Sequence, residues 1–161
     1  MVVLLMGVTG SGKTTVGEKL AAELGSTFSD ADDFHPAANK AKMRAGIPLT
    51  DDDRWPWLLA VRQVIEQALR DNRGAIVACS ALKAAYRDVL AGGLEPVRFV
   101  LLDGDPAVLK ARLAQRRHEF MNPALLESQI DTLERPPNAI VIDIELPLDE
   151  QVRRIRHALG V

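Results

Sequence analysis

Short apolar runs alternate with stretches of helical periodicity along the whole chain. Val2-Val3-Leu4-Leu5-Met6 is a continuous apolar run, the pattern of a strand covered on both faces. After it, Val16, Leu20 and Leu24 share one helix face, and Gly25 supplies a C-terminal stop. A weak second strand, Ser26 to Ser29, runs into Asp30-Ala31-Asp32-Asp33. Pro36 suits the first turn of a helix ending near Ala45-Gly46. Asp51-Asp52-Asp53 predicts an aspartate N-cap for the next helix, with Pro56 in its first turn. Leu58, Val61, Ile65 and Leu69 form its buried stripe, and Arg73-Gly74 ends it. Ala75 to Cys79 and Val97 to Leu102 are further strands, with a helix carrying Tyr86, Val89 and Leu90 between them. Asp105-Pro106 caps a helix with Val108, Leu109 and Leu113. Residues 114–137 are polar, rich in arginine and free of strand-like runs, with one short helix through Leu125, Leu126, Gln129 and Ile130. Ala139 to Ile142 is the last strand, and Asp149 caps a final helix with Val152, Ile155 and Leu159.

This alternation predicts an α/β fold, a mainly parallel sheet with helices on both faces. Its ligands bind beyond the carboxyl ends of the strands. With 161 residues, the chain reads as a single domain, 1–161, in which 114–137 is a lid-like excursion. The net charge of −2 provides no basic field for nucleic acid. One cysteine, Cys79, excludes an intrachain disulfide and a thiolate metal cluster, in keeping with a reducing cytoplasm. The five-residue apolar start is too short for a membrane span or a signal peptide.

The chemistry starts where the first strand ends. Gly7-Val8-Thr9-Gly10-Ser11-Gly12-Lys13-Thr14 reads G-x-x-x-x-G-K-[ST], the phosphate-binding P-loop, between a strand and a helix as it must be. Its glycines let backbone N–H groups turn inward around phosphate oxygens, and the helix N-terminus adds partial positive charge. Gly7, Gly10, Ser11, Gly12, Lys13, Thr14 and Thr15 are therefore candidate nucleotide contacts for ATP. Lys13 reaches the β- and γ-phosphates, and the Thr14 hydroxyl takes a Mg²⁺ position.

A P-loop does not say what receives the phosphoryl group. If the second strand extends through Asp30 and Asp32, both carboxylates point to one side of the sheet. One then serves the Mg²⁺ shell and the other accepts a proton from an attacking hydroxyl; otherwise the segment is a solvated turn. The strand at Ala75 to Cys79 does not end in aspartate, which moves the metal duty to Asp30. Arg54 is either an arginine fork for a substrate carboxylate or a partner in local ion pairs. Trp55 and Trp57 read as core or groove wall, His35 as a loop residue of open role, and Cys79 as a buried strand residue. Arg112, Arg116 and Arg117 either snorkel from an exposed helix or arm a lid that neutralises phosphoryl charge and excludes water.

Taken together, several longer motifs resemble bacterial gluconokinase over almost the whole chain. They are the P-loop, Asp30-Ala31-Asp32-Asp33-Phe34-His35-Pro36, Asn39, Lys42-Met43, and Gly46 to Leu58. Cys79-Ser80-Ala81-Leu82-Lys83, Tyr86-Arg87-Asp88, Leu126, Ser128-Gln129 and Leu133-Glu134 match the same family. The resemblance implies a nucleoside-monophosphate-kinase-like fold with a five-stranded parallel sheet, and commonly a homodimer. It implies ATP-dependent phosphorylation of D-gluconate at its 6-hydroxyl. By the same resemblance Asp32 faces the substrate and Asp30 the metal. Arg54 and Lys83 then contribute contacts to gluconate, with His35, Ser80 and Arg87 as further polar partners, and Arg112 and Arg116 contact phosphate or adenine. The family's lid usually reads Arg-(basic or small)-Gly-His-Phe, whereas this chain has Arg116-Arg117-His118-Glu119-Phe120, so no lid-histidine role carries over. Two rivals stand beside this reading: another small-metabolite kinase, such as a shikimate kinase, and a nucleotide-binding regulatory module without turnover.

Overall fold

The computed structural model describes residues 1–115 and 124–161. Among them, five strands form one parallel sheet in the order β2-β3-β1-β4-β5. The strands are β1 (Val2–Met6), β2 (Thr27–Asp30), β3 (Ala75–Ala78), β4 (Val97–Asp103) and β5 (Ile140–Asp143). The helices are α1 (Lys13–Leu24), α2 (Ala37–Arg44), α3 (Asp51–Arg70), α4 (Ala84–Ala91), α5 (Pro106–Gln115), α6 (Ala124–Thr132) and α7 (Leu148–Leu159). This is the parallel sheet expected from the alternation of elements, in the five-stranded nucleoside-monophosphate-kinase-like architecture that the resemblance implied. No described helix is long and apolar enough to cross a membrane.

β1 is central because it is apolar at every position: each residue from Val2 to Met6 is at most 1% exposed. It pairs with β3 from Val2↔Ala75 to Leu5↔Ala78 and with β4 from Val2↔Val97 to Met6↔Leu101. Two packed helix pairs, α1 with α7 and α3 with α4, cover the sheet. α1 lies close because Gly17 faces the sheet. A Cβ there would stand 2.5 Å from Cε2 of Phe28 and 3.4 Å from Cδ2 of Leu5. The stripe Leu58, Val61 and Ile65 of α3 is buried as the periodicity required, while Leu69 is half-buried.

Local chemistry corrects several boundaries. β2 does not extend through the acidic pair. It stops at Asp30, and a 3-10 turn covers Ala31–Phe34, with the Asp30 carboxylate accepting from the Asp32 N–H at 2.9 Å. An Asx-type cap competes with strand pairing at such positions. Thr50, rather than an aspartate, caps α3. Its hydroxyl accepts from the Asp53 N–H at 3.2 Å, and the Asp53 carboxylate accepts from the Thr50 N–H at 2.9 Å, forming a capping box. Pro56 lies beyond the first turn, inside the helix, and α3 ends at Arg70 rather than at Arg73-Gly74. Pro147 occupies the N-cap of α7, so Asp149 sits in its first turn. Of the 114–137 excursion, α6 appears where Leu125 to Ile130 placed it, and Arg116, Arg117 and the His118-Glu119 departure lie outside the described residues.

The capping box makes a direct prediction. Thr50→Ala removes the side-chain acceptor for the Asp53 N–H and should cost about 1 kcal/mol. The urea midpoint should fall with an unchanged slope. A midpoint equal to wild type would show that solvent replaces the cap without loss.

Candidate active site

The loop after β1 is built for an anion. Gly7 (φ 148°) has no room for a side chain: a Cβ would meet the Leu102 carbonyl oxygen at 2.8 Å and the Ser11 hydroxyl at 2.7 Å. Gly12, at φ 93°, is the N-cap of α1 and offers no side-chain cap, and the first turn of α1 carries no acidic residue. The unsatisfied N–H groups at that helix end are therefore left to an outside anion. The Lys13 ammonium arches back to donate to the carbonyls of Gly7 (2.9 Å) and Val8 (3.1 Å), which places a point charge over the loop.

β2 delivers the acidic pair to the same place. Asp30 is its last residue, in register with Ala78 of β3, which in turn pairs with Leu5 of β1. Across that row, Thr14 Oγ1 donates to Asp30 Oδ2 at 3.0 Å, while Asp30 Oδ1 holds the Asp32 N–H. Asp32 sits on the 3-10 turn at the floor of a cavity of about 260 Å³, with a third of its side chain open to it. Withdrawal from bulk water, reinforced by the neighbouring Asp30 carboxylate, raises its carboxyl to about 6. It is still mostly ionised at neutral pH and is a better proton acceptor than an ordinary aspartate.

The far wall carries polar groups of a different kind. His35 is buried and stacks on Trp57, with ring centroids 4.0 Å apart and planes at 18°. The Trp57 indole N–H donates to the Ala31 carbonyl at 2.7 Å, which joins α3 to the 3-10 turn. Burial is the main cause that lowers the His35 imidazole to about 4, so it is neutral at neutral pH. Arg54 Nη1 donates to the Tyr86 hydroxyl at 2.9 Å and lies 5.2 Å from the centre of that ring. The Tyr86 hydroxyl donates in turn to Asp51 Oδ1.

The cavity thus brings together Gly10, Gly12, Lys13, Thr14, Thr15, Asp30, Asp32, His35, Arg54 and Ser80. Gly7 and Ser11 are buried in the loop that shapes it. Other sequence candidates stand elsewhere. Lys83 is beside Asp51 at 3.4 Å and is not part of the lining. Arg87 is 8% exposed and donates to the carbonyls of Ala81 (2.8 Å) and Leu82 (3.3 Å), bracing the turn after β3 where Ala81 has φ 47°. Arg112 donates to the Ile144 carbonyl at 2.6 Å and so ties α5 to the end of β5.

Tyr86 and Gln129 match the family in the sequence but carry no site role there, and both line the cavity. Tyr86 looked like a core position by its spacing, and its ring is indeed buried, but its hydroxyl orients Arg54. Gln129 of α6 accepts from the Thr9 N–H at 2.7 Å, a contact 120 residues apart that no local pattern announces. Because a backbone N–H can only donate, that contact pins the amide oxygen of Gln129 on the loop.

Asp30 and Thr14 offer hard oxygen donors, a carboxylate and a hydroxyl, which fit Mg²⁺. Among the described residues there is no cluster of three or more histidine, cysteine or acidic groups of metal-binding shape. A magnesium ion that keeps waters and phosphate oxygens needs no such cage.

Arg87 supplies a prediction of structure rather than of chemistry. Arg87→Ala leaves two carbonyls of a buried turn without their donor and should cost about 1–3 kcal/mol in denaturant unfolding. A loss within 0.5 kcal/mol, the usual range of surface changes, would show that water takes over both contacts.

Comparison with known proteins agrees with this geometry. A family model described as AAA domain matches residues 2–136. A probable gluconokinase of Dictyostelium discoideum is 44% identical over 168 residues, covering 96% of this chain and 84% of its own length. The thermosensitive gluconokinase of Escherichia coli strain K12 is 43% identical over 160 residues, covering 97% of this chain and 86% of its own. The crystal structure of a gluconokinase from Sinorhizobium meliloti 1021 superposes with a TM-score of 0.86 at 41% identity, covering 99% of this chain and 91% of that one. With this much identity along nearly its full length, the chain belongs to the gluconokinase family.

Proposed function

We propose that this protein transfers the γ-phosphoryl group of ATP to the 6-hydroxyl of D-gluconate, giving 6-phospho-D-gluconate and ADP. The observation behind the reading is a single cavity in which the P-loop, the Thr14–Asp30 pair, Asp32 and Arg54 meet. Identity above 40% to gluconokinases favours gluconate over a shikimate-type acceptor. Lys13, Thr14, Asp30 and Asp32 are all in place, which favours turnover over a silent binding module.

In this mechanism the N–H groups at the start of α1 and the Lys13 ammonium hold the β- and γ-phosphates. The Thr14 hydroxyl would hold Mg²⁺ and the Asp30 carboxylate a water of its shell; when bound, the ion would supply charge neutralisation on the phosphates. Asp32 accepts the proton of the 6-hydroxyl as its oxygen bonds to the γ-phosphorus. The bond from that phosphorus to the bridging oxygen breaks, and its electron pair leaves with ADP. Because the transition state is loose, orienting the hydroxyl counts for as much as basicity. Arg54, held at a fixed angle by Tyr86, pairs with the gluconate carboxylate. Ser80, and Gln129 through its amide hydrogens, add hydrogen bonds to the polyol or the phosphoryl oxygens. Lys83, Arg87 and Arg112 stand outside this lining; Arg112 and Arg116 are the candidates for phosphate or adenine contacts, and 114–137 for a lid over the nucleotide. A homodimer in the cytoplasm completes the proposal.

Release of ADP from ATP and Mg²⁺ tests the reading directly. Turnover should depend on D-gluconate and should not rise with shikimate; no rise with gluconate would overturn it. Asp32→Asn keeps the size of the side chain but removes its charge. It should lower kcat by roughly 10²–10⁴-fold with the ATP KM nearly unchanged. A full kcat, or recovery on simply adding Mg²⁺, would reassign Asp32. Arg54→Ala should raise the gluconate KM about 10–100-fold, the worth of one charge-assisted hydrogen bond, and the ATP KM far less. An equal rise in both would make Arg54 structural.

A further inference from the structure

Asn39 is 4% exposed, belongs to α2 and does not touch the cavity. Its side-chain nitrogen Nδ2 lies 2.9 Å from the Asp53 carbonyl oxygen and 3.2 Å from His35 Nδ1. The Asp53 carbonyl can only accept, so the Asn39 atom facing it is the NH₂ group and the amide cannot be flipped. One of its two hydrogens goes to Asp53 and the other points to His35. The nitrogen receiving that hydrogen must present a lone pair, so Nδ1 of His35 is unprotonated. In a neutral imidazole the proton then resides on Nε2.

The rest of the surroundings hold the plane of the ring and disfavour its charged form. Its side chain is 2% exposed, one face lies on Trp57, and burial together with Lys40 and Arg54 disfavours a second proton. Nε2 stands 3.7 Å from Asp32 Oδ1, too far for a direct hydrogen bond and close enough for both to reach one substrate oxygen. Asp53 is itself fixed by the capping box and by Lys42 at 2.8 Å, so the anchor of Asn39 is rigid.

We propose that Asn39 is a positioning residue that fixes His35 as the Nε2–H tautomer, so that an N–H donor faces the acceptor substrate beside Asp32. The division of labour follows from valence. Asp32 takes the proton of the attacking hydroxyl, and His35 donates to a lone pair of that hydroxyl or of its neighbour. The opposite tautomer would put two acceptors side by side, leaving the hydroxyl free to point its proton away from Asp32. The substrate part of this inference rests on the gluconate reading; the tautomer does not.

Long-range ¹H–¹⁵N correlation spectra of the full-length protein at neutral pH read the ring nitrogens directly. The chain has three histidines, and loss of a signal set in His35→Gln assigns the relevant one. The expected pattern is a neutral ring protonated at Nε2, with and without gluconate. A ring protonated at Nδ1, or on both nitrogens, overturns the proposal whatever the enzyme turns over. Asn39→Asp replaces the donor with an acceptor and should move the proton to Nδ1. It should lower kcat with gluconate roughly 10–100-fold, the range for groups that orient a functional side chain, and leave the ATP KM within about twofold. A shifted tautomer with unchanged kcat, or a fallen kcat with an unchanged tautomer, each overturns the positioning role. Should Asn39→Asp not fold, Asn39→Ser keeps a small donor and should preserve both the Nε2–H pattern and most of kcat; loss of kcat with the pattern intact counts against the proposal. If wild type shows the Nε2–H ring but no turnover of gluconate, the substrate reading fails and the tautomer assignment stands.

Discussion

Parallel pairing of β1 on both edges is the constraint on which the site depends. A strand with parallel neighbours must send its chain out at the same end as theirs. The exits of β1 and β2 and the turn after β3 are therefore forced together, and the residues at those exits become neighbours despite wide separation in sequence. Complete burial of Val2 to Met6 leaves the strand no other place in the sheet. The row Leu5, Ala78, Asp30 then fixes how far Asp30 stands from the loop after β1, and the Thr14–Asp30 hydrogen bond spans that gap.

Around this frame, identical side chains are given different characters by their surroundings. Asp32 faces a cavity next to another carboxylate and is raised to about 6. Asp53 receives hydrogen bonds from Lys42 and from the Thr50 backbone and is lowered to about 2. Asp51 is lowered chiefly by the Tyr86 hydroxyl and then by Lys83. Two of these three aspartates thus serve as fixed anions that organise cations and caps, while the third keeps a proton affinity close to neutral pH.

What could be read from the sequence was what depends on short range. The loop after β1, the apolar strands to within a residue at each end, the α3 stripe except half-buried Leu69, and the α5 cap at Asp105 all follow from patterns within a few residues. Three aspartates mask the α3 cap, although the signal of a capping box, Thr50 followed three residues later by an acid, stands in the sequence. The extension of β2 into Asp32 failed because the Asp30 side chain offers the backbone a competing bond. Arg87 and Arg112 show a deeper limit. A guanidinium that braces backbone carbonyls, of the nearby turn for Arg87 and of the chain after β5 for Arg112, cannot be recognised as such from its local sequence. Gln129 and Asn39 were visible as matching positions, yet their partners, Thr9 and the His35–Asp53 pair, could be named only in three dimensions.

The stack of Trp57 on His35 has an optical consequence. One face of the indole rests on the imidazole, its N–H is bound to Ala31, and its remaining surface belongs to the cavity wall. The other tryptophan, Trp55, meets Tyr86 edge-on at 5.7 Å on the side of Arg54. The two tryptophans are therefore coupled to the cavity in different ways: Trp57 lines it beside His35, and Trp55 touches Tyr86, the residue that holds Arg54. The native protein carries its own emission probes for the filling of that pocket, with no dye attached.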